Sequence, residues 1–316
     1  MSKFVSMLGS FARRRCQLAL CAIVFVCCTI FALAEEKSPG AATSGSLFVM
    51  ADYWANATRI LDSSYKQIAV VPEYGYEAIG ADGTLYIARQ ITGHATNSLT
   101  IYAPPYKKQS AVLTYGGFIT TGVATDPLHH IFAVTGLYAE GYGGAGFIRF
   151  YKDGTTKPCR YITFGPGSLS DGSAFDRLGT FYSGAPFNKQ TFIVSVAGGC
   201  GASQFVVHTL PPGTQVDGRF VFDNDNHLLL QQNYSNVVSI YANPGNGPFG
   251  PPIASTTLQN VDGDTPYFAC LASDGKHLWA NTNAGLAEYL YPQGGAPLVV
   301  LPRIPKYGLI AVFPPF

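Results

Sequence analysis

Between residues 78 and 102 the chain runs apolar, turns, and runs apolar again. It reads Ala-Ile-Gly-Ala-Asp-Gly-Thr-Leu-Tyr-Ile-Ala, then a polar loop, then Ser-Leu-Thr-Ile-Tyr. An Asp-Gly pair between two short apolar runs marks a hairpin, and the third run extends it to an antiparallel meander. Imperfect copies fill the rest of the chain. Their turn aspartates are Asp82, Asp126, Asp176, Asp223 and Asp274, spaced 44, 50, 47 and 51 residues apart. A bulky pair follows each: Leu85-Tyr86, Ile131-Phe132, Phe181-Tyr182, Leu228-Leu229 and Leu278-Trp279. Third runs close at Tyr102, Tyr151, Val196, Tyr241 and Tyr289, and fourth runs follow at 111–114, 160–164, 205–208, 253–258 and 298–301.

A period in the forties with four strands per unit predicts propeller blades. Five copies are complete and a sixth is split. Residues 46–52, 58–62 and 67–71 supply second, third and fourth strands without a first, and Tyr307-Gly-Leu-Ile-Ala-Val-Phe-Pro314 supplies a first strand with nothing after it. The expected fold is therefore all-β: a six-bladed β-propeller of four-stranded antiparallel blades over residues 46–316. The C-terminal strand joins the N-terminal blade, which pairs two open edges and closes the ring.

Composition agrees with short strands and tight turns. Of 316 residues 47% are hydrophobic and only 12% charged, with 35 Gly, 21 Pro and 19 Tyr. A net charge of +1 excludes the basic footprint of a nucleic-acid partner. The first 34 residues differ in kind: Arg13, Arg14 and Arg15 precede an apolar segment over 18–34 that ends Ala32-Leu33-Ala34. That is the pattern of a cleaved signal peptide, with an uncleaved N-terminal anchor as the alternative. Residues 35–45, rich in Ser, Ala, Gly and Thr, read as a flexible lead-in. Cleavage leaves 16 basic against 19 acidic residues, and three cysteines: Cys159, Cys200 and Cys270. The expected location is secreted or periplasmic, with membrane contact only through the signal segment and a monomeric mature chain. Cys159 and Cys200 flank fourth strands of adjacent blades and are the expected disulfide, while Cys270 lies in an inner strand as a buried small hydrophobe.

The Asp-Gly-Thr-Leu-Tyr-Ile-Ala and Leu-Thr-Ile-Tyr motifs resemble the NHL/YVTN-type repeats of bacterial exported six-bladed propellers. The resemblance spans nearly the whole mature chain and implies a fold rather than an activity.

The repeated aspartates read as turn formers, because an Asp at a hairpin accepts backbone N–H bonds. Candidate chemistry sits instead where first strands begin, beside the central channel. Glu77 and Asp171, on blades two apart, offer two carboxylates for a divalent cation (Ca or Mg) or for activating a water. Tyr76, Asp217, Tyr267 and Tyr307 stand nearby. The loops between second and third strands open on the same face and carry Tyr53, Trp54, His94, Tyr138, Tyr142 and Tyr234, rings suited to stacking on a sugar or burying a peptide side chain. The leading expectation is thus a ligand-binding or protein-interaction scaffold with a protein, peptide or glycan over the channel mouth and no resident cofactor. The alternative is a hydrolase similar to the gluconolactonase type of propeller. That resemblance implies a channel metal held by a Glu, matched by Glu77, and by Asp and Asn residues of other blades. Gly218-Arg219-Phe220 and Tyr267-Phe268-Ala269 stand where that family's Asn-Gly and Asp-Gly signatures are expected.

Overall fold

The computed structural model describes residues 47–91, 94–126, 128–138, 145–166, 172–187, 190–210, 221–231, 235–271, 275–301 and 310–313. Residues 1–45, expected from the sequence to be a signal segment and lead-in, lie outside these. Among the described residues no helix is long and apolar enough to cross a membrane.

Six four-stranded antiparallel sheets make up the described chain. Blade I holds β1 (Leu47–Asp52), β2 (Ala57–Leu61) and β3 (Gln67–Val71); blade II holds β4 (Tyr74–Ile79), β5 (Leu85–Ile91), β6 (His94–Tyr102) and β7 (Ala111–Thr114). Blade III is β8 (Phe118–Asp126), β9 (Ile131–Tyr138), β10 (Ala145–Lys152) and β11 (Arg160–Pro166). Blade IV is β12 (Ser173–Phe175), β13 (Phe181–Phe187), β14 (Gln190–Val196) and β15 (Val206–Thr209). Blade V is β16 (Val221–Phe222), β17 (Leu228–Gln231), β18 (Val237–Tyr241) and β19 (Ala254–Thr257). Blade VI is β20 (Tyr267–Leu271), β21 (His277–Thr282), β22 (Gly285–Leu290) and β23 (Val299–Leu301). The last strand, β24 (Ile310–Phe313), returns to blade I and pairs antiparallel with β1, Leu47 opposite Phe313. The ring is closed as the split sixth repeat predicts.

First strands of successive blades neighbour one another around the axis from blade VI through blade I to blade V. The bulky pairs pack between blades: Tyr86, Phe132, Tyr182, Leu229 and Trp279 are all buried, and Phe132 stacks on Tyr151 with centroids 4.7 Å apart. The aspartates set their turns. Asp176 Oδ1 accepts the N–H groups of Leu178 and Thr180, and Asp223 Oδ1 accepts those of Asp225 and His227. Asp274 lies outside the described residues.

In Asp176 and Asp223 the second carboxylate oxygen is used by the neighbouring blade. Two residues past the buried tyrosine of a third strand stand Asn243 in blade V and Tyr291 in blade VI. Asn243 Nδ2 donates to Asp176 Oδ2 of blade IV at 2.8 Å, and Tyr291 OH donates to Asp223 Oδ2 of blade V at 2.8 Å. Asn243 also accepts from Tyr182 OH at 2.8 Å. Blade III carries Asp153 at the same position. It accepts from Tyr86 OH at 3.5 Å and faces His130 Nδ1 at 3.6 Å. It has no proton to offer Asp82 of blade II. Burial, and then the Asp82 carboxylate, raise the Asp153 pKa above its ordinary 3.8, with His130 acting in the opposite sense. A raised folded pKa means that the native state holds a proton the unfolded chain has released, so stability falls as pH rises from about 3.8 through the folded value. Asp153→Asn copies the blade V arrangement and removes that loss. Urea unfolding at pH 7 should show a gain of about 1 kcal/mol, and the gain should vanish below pH 3.8. A variant no more stable at pH 7 would sink the account.

Candidate functional site

Antiparallel order places the loops between second and third strands on the same face as the links from each outer strand to the next blade, the mouth of the channel. In blade I this loop is held firmly. Asp52 Oδ1 accepts the Ala55 N–H at 2.9 Å, and its Oδ2 takes Arg59 Nε at 2.9 Å and Nη2 at 2.7 Å. The Asn56 N–H closes the turn on Tyr53 O. The turn therefore presents Trp54 at its tip, 77% exposed. Tyr53 meets Trp54 edge-on with centroids 5.2 Å apart, and meets Tyr74 of blade II at 5.5 Å. Tyr53 is thus the strut between blades, and Trp54 is the ring offered outward. The sequence placed both on the mouth but did not tell their roles apart.

Glu77 lies on β4 but is only 3% exposed. Thr58 of blade I donates to Glu77 Oε1 at 3.2 Å and to the Glu73 carbonyl at 2.7 Å, a tie between blades I and II. Glu73 also turns inward: burial, then the Glu73 carboxylate, push the Tyr102 hydroxyl up to about 12. Tyr76 packs half-buried against the cluster between blades II and III, and Tyr267 is at the surface on β20. Asp171, Asp217, Tyr307, Tyr142 and Tyr234 lie outside the described residues, as do the side chains of His94 and Tyr138. The structure therefore shows Tyr53 and Trp54 together, with Tyr74 behind them, and Glu77 enclosed below.

Two constellations were not legible beforehand. Ser195 Oγ and His208 Nε2 stand 2.6 Å apart, both buried, and His208 Nδ1 meets the Gly247 carbonyl of blade V at 2.7 Å. A carbonyl only accepts, so Nδ1 carries the proton and Nε2 accepts from the serine. Burial lowers the His208 pKa, keeping the ring neutral. The third partner is a carbonyl rather than a carboxylate, and no solvent reaches the serine, so the pair is a tie between blades. The second is Asp223, Asp225 and His227, among the described residues the one group of three with ligand atoms within 4.8 Å. Asp223 is already spent, one oxygen on two backbone N–H groups and the other on Tyr291 and His227. The motif is a turn. Glu77 belongs to no such group among the described residues.

No protein-family model matches the chain, and no curated protein matches it. Solved structures do. A chain of a nidogen/laminin complex matches with a TM-score of 0.60 at 13% identity, covering 85% of this chain and 98% of that one. A Bacteroides caccae protein of unknown function matches with a TM-score of 0.60 at 10% identity, covering 84% and 99%. A luciferin-regenerating enzyme matches with a TM-score of 0.51 at 13% identity, covering 73% and 77%. Identities this low establish the shared architecture, a six-bladed propeller.

Proposed function

We propose that this is an exported propeller that acts as a binding scaffold and holds a glycan over the channel mouth. The observation that carries the reading is Trp54, a large ring left 77% exposed on a turn fixed by Asp52 and backed by Tyr53. An exposed, rigid aromatic stacks on a sugar ring at small entropic cost. The N-terminal segment supports export, and a disulfide suits an oxidising compartment. The neighbours named above include a partner complex and an enzyme, so the fold accommodates both kinds of work.

The chain has two tryptophans, and Trp279 is buried, so exposed emission reports Trp54. Titration with cello- and chito-oligosaccharides should quench and blue-shift that emission saturably. Trp54→Ala should weaken binding, followed by calorimetry, roughly tenfold, the size of one lost stacking contact of about 1.4 kcal/mol. Unchanged emission at millimolar oligosaccharide would remove the glycan, and a response to extended peptides instead would redirect the reading to a peptide scaffold. The second reading, a metal-dependent hydrolase, rests on the buried Glu77 carboxylate of β4. Calcium or magnesium should then raise the thermal midpoint of the parent chain and not of Glu77→Gln.

A further inference from the structure

On the outer rim between blades III and IV lies an open groove of about 350 Å³, lined by Arg160, Tyr161, Ile162 and Thr163 on one side and by Ser203, Gln204 and Phe205 on the other. Its two walls are joined at one end by the Cys159–Cys200 disulfide, immediately before Arg160 and three residues before Ser203. Arg160 is half-buried. Its Nε is shut off from solvent and has no hydrogen-bond acceptor. Among the described residues, Arg59 pairs with Asp52, and Arg149 sits among the rings of Tyr115, Phe118, Phe147 and Tyr161 with centroids 4.8–5.8 Å away. A guanidinium can only donate, and a buried N–H left without an acceptor is costly. The groove also runs along a sheet edge. β11 is hydrogen-bonded only to β10, so alternate residues turn their backbone N–H and C=O outward. Ile162 and Phe205 belong to the apolar cluster between blades III and IV and give the groove an apolar floor.

We propose that this groove takes an extended peptide segment bearing a carboxylate, added as a fifth strand to blade III with its acid on Arg160. The edge supplies main-chain pairing, Tyr161 and Phe205 receive alternate apolar side chains, and the acid satisfies the guanidinium as a charge-assisted pair. The disulfide holds the two walls at fixed separation, so little ordering remains to be done on binding. This site is separate from the channel mouth and does not depend on Trp54.

The test uses the oxidised protein and a short end-blocked peptide of alternating threonine and valine with one central glutamate, compared with its glutamine twin. Calorimetry should show the glutamate peptide binding at least about tenfold more tightly. In proton–nitrogen spectra the Arg160 Nε–H signal should move with the glutamate peptide only. Arg160→Gln should remove the preference, and Arg160→Lys should weaken it. Equal affinity for the two peptides, no binding at millimolar concentration, or a preference that survives Arg160→Gln would overturn the proposal. The nitrogen signal is read on the unaltered protein, so the result stands even if the variants fold poorly.

Discussion

Replacing Cys159 and Cys200 together with serine should lower the stability of the folded chain by about 4 kcal/mol. The bond spans 41 residues, its Cα atoms lie 5.2 Å apart, and the loop it closes contains β11 to β14. Cross-linking removes the conformations in which those ends drift apart, and the loss of entropy grows with the logarithm of loop length. Most of the effect therefore belongs to the unfolded chain, and the folded blades III and IV should keep their packing. Urea unfolding should show a lower midpoint, and dithiothreitol should reproduce the shift in the parent but not in the double variant. A loss below about 1 kcal/mol would mean that the unfolded chain already keeps these ends together, since residual structure sets the reference state. Cys270 is no substitute partner, because it is buried in β20 of blade VI.

The blades were legible because each repeat encodes its own local geometry. An aspartate fixes the first turn, a bulky pair fills the inter-blade core, and a buried tyrosine closes the third strand in four copies. The clasp was legible because residues 307–314 read as a first strand with nothing after it, and residues 46–71 as a blade without a first strand. Where local signal was weak, so was the reading. β19 is Ala-Ser-Thr-Thr with one buried side chain, and the first strand of blade V is two residues long. Contacts across blades were not legible, because they depend on the angle between sheets. His208 on the Gly247 carbonyl and Asp153 against Asp82 join residues 39 and 71 apart in the chain. The same limit applies to the mouth: alternation marks Tyr53 and Trp54 alike as loop aromatics, and only packing on Tyr74 separates strut from platform.

Gly136→Ala should cost about 3 kcal/mol, a larger loss than its one added methyl suggests. Gly136 lies in the middle of β9, opposite Phe147 on one side and Thr120 on the other. The register of β8 slips between Thr120 and Gly122, a bulge that brings the Ile119 carbonyl over the glycine. A Cβ there falls well inside contact distance of both that oxygen and the Phe147 ring. Neither can retreat cheaply. The carbonyl belongs to the backbone of an inner strand, and Phe147 is fully buried against Phe118 and Tyr115, with Arg149 over its face. Overpacking of this kind is relieved only by moving backbone or forcing rotamers. Gly201→Ala is the control: its Cβ meets nothing within 4 Å, so its effect should stay within about 0.5 kcal/mol. If the two variants unfold at the same urea midpoint, β8 and β9 shift freely. The bulge at 120–122 would then be a soft joint in blade III, and the rings around Arg149 would repack without loss.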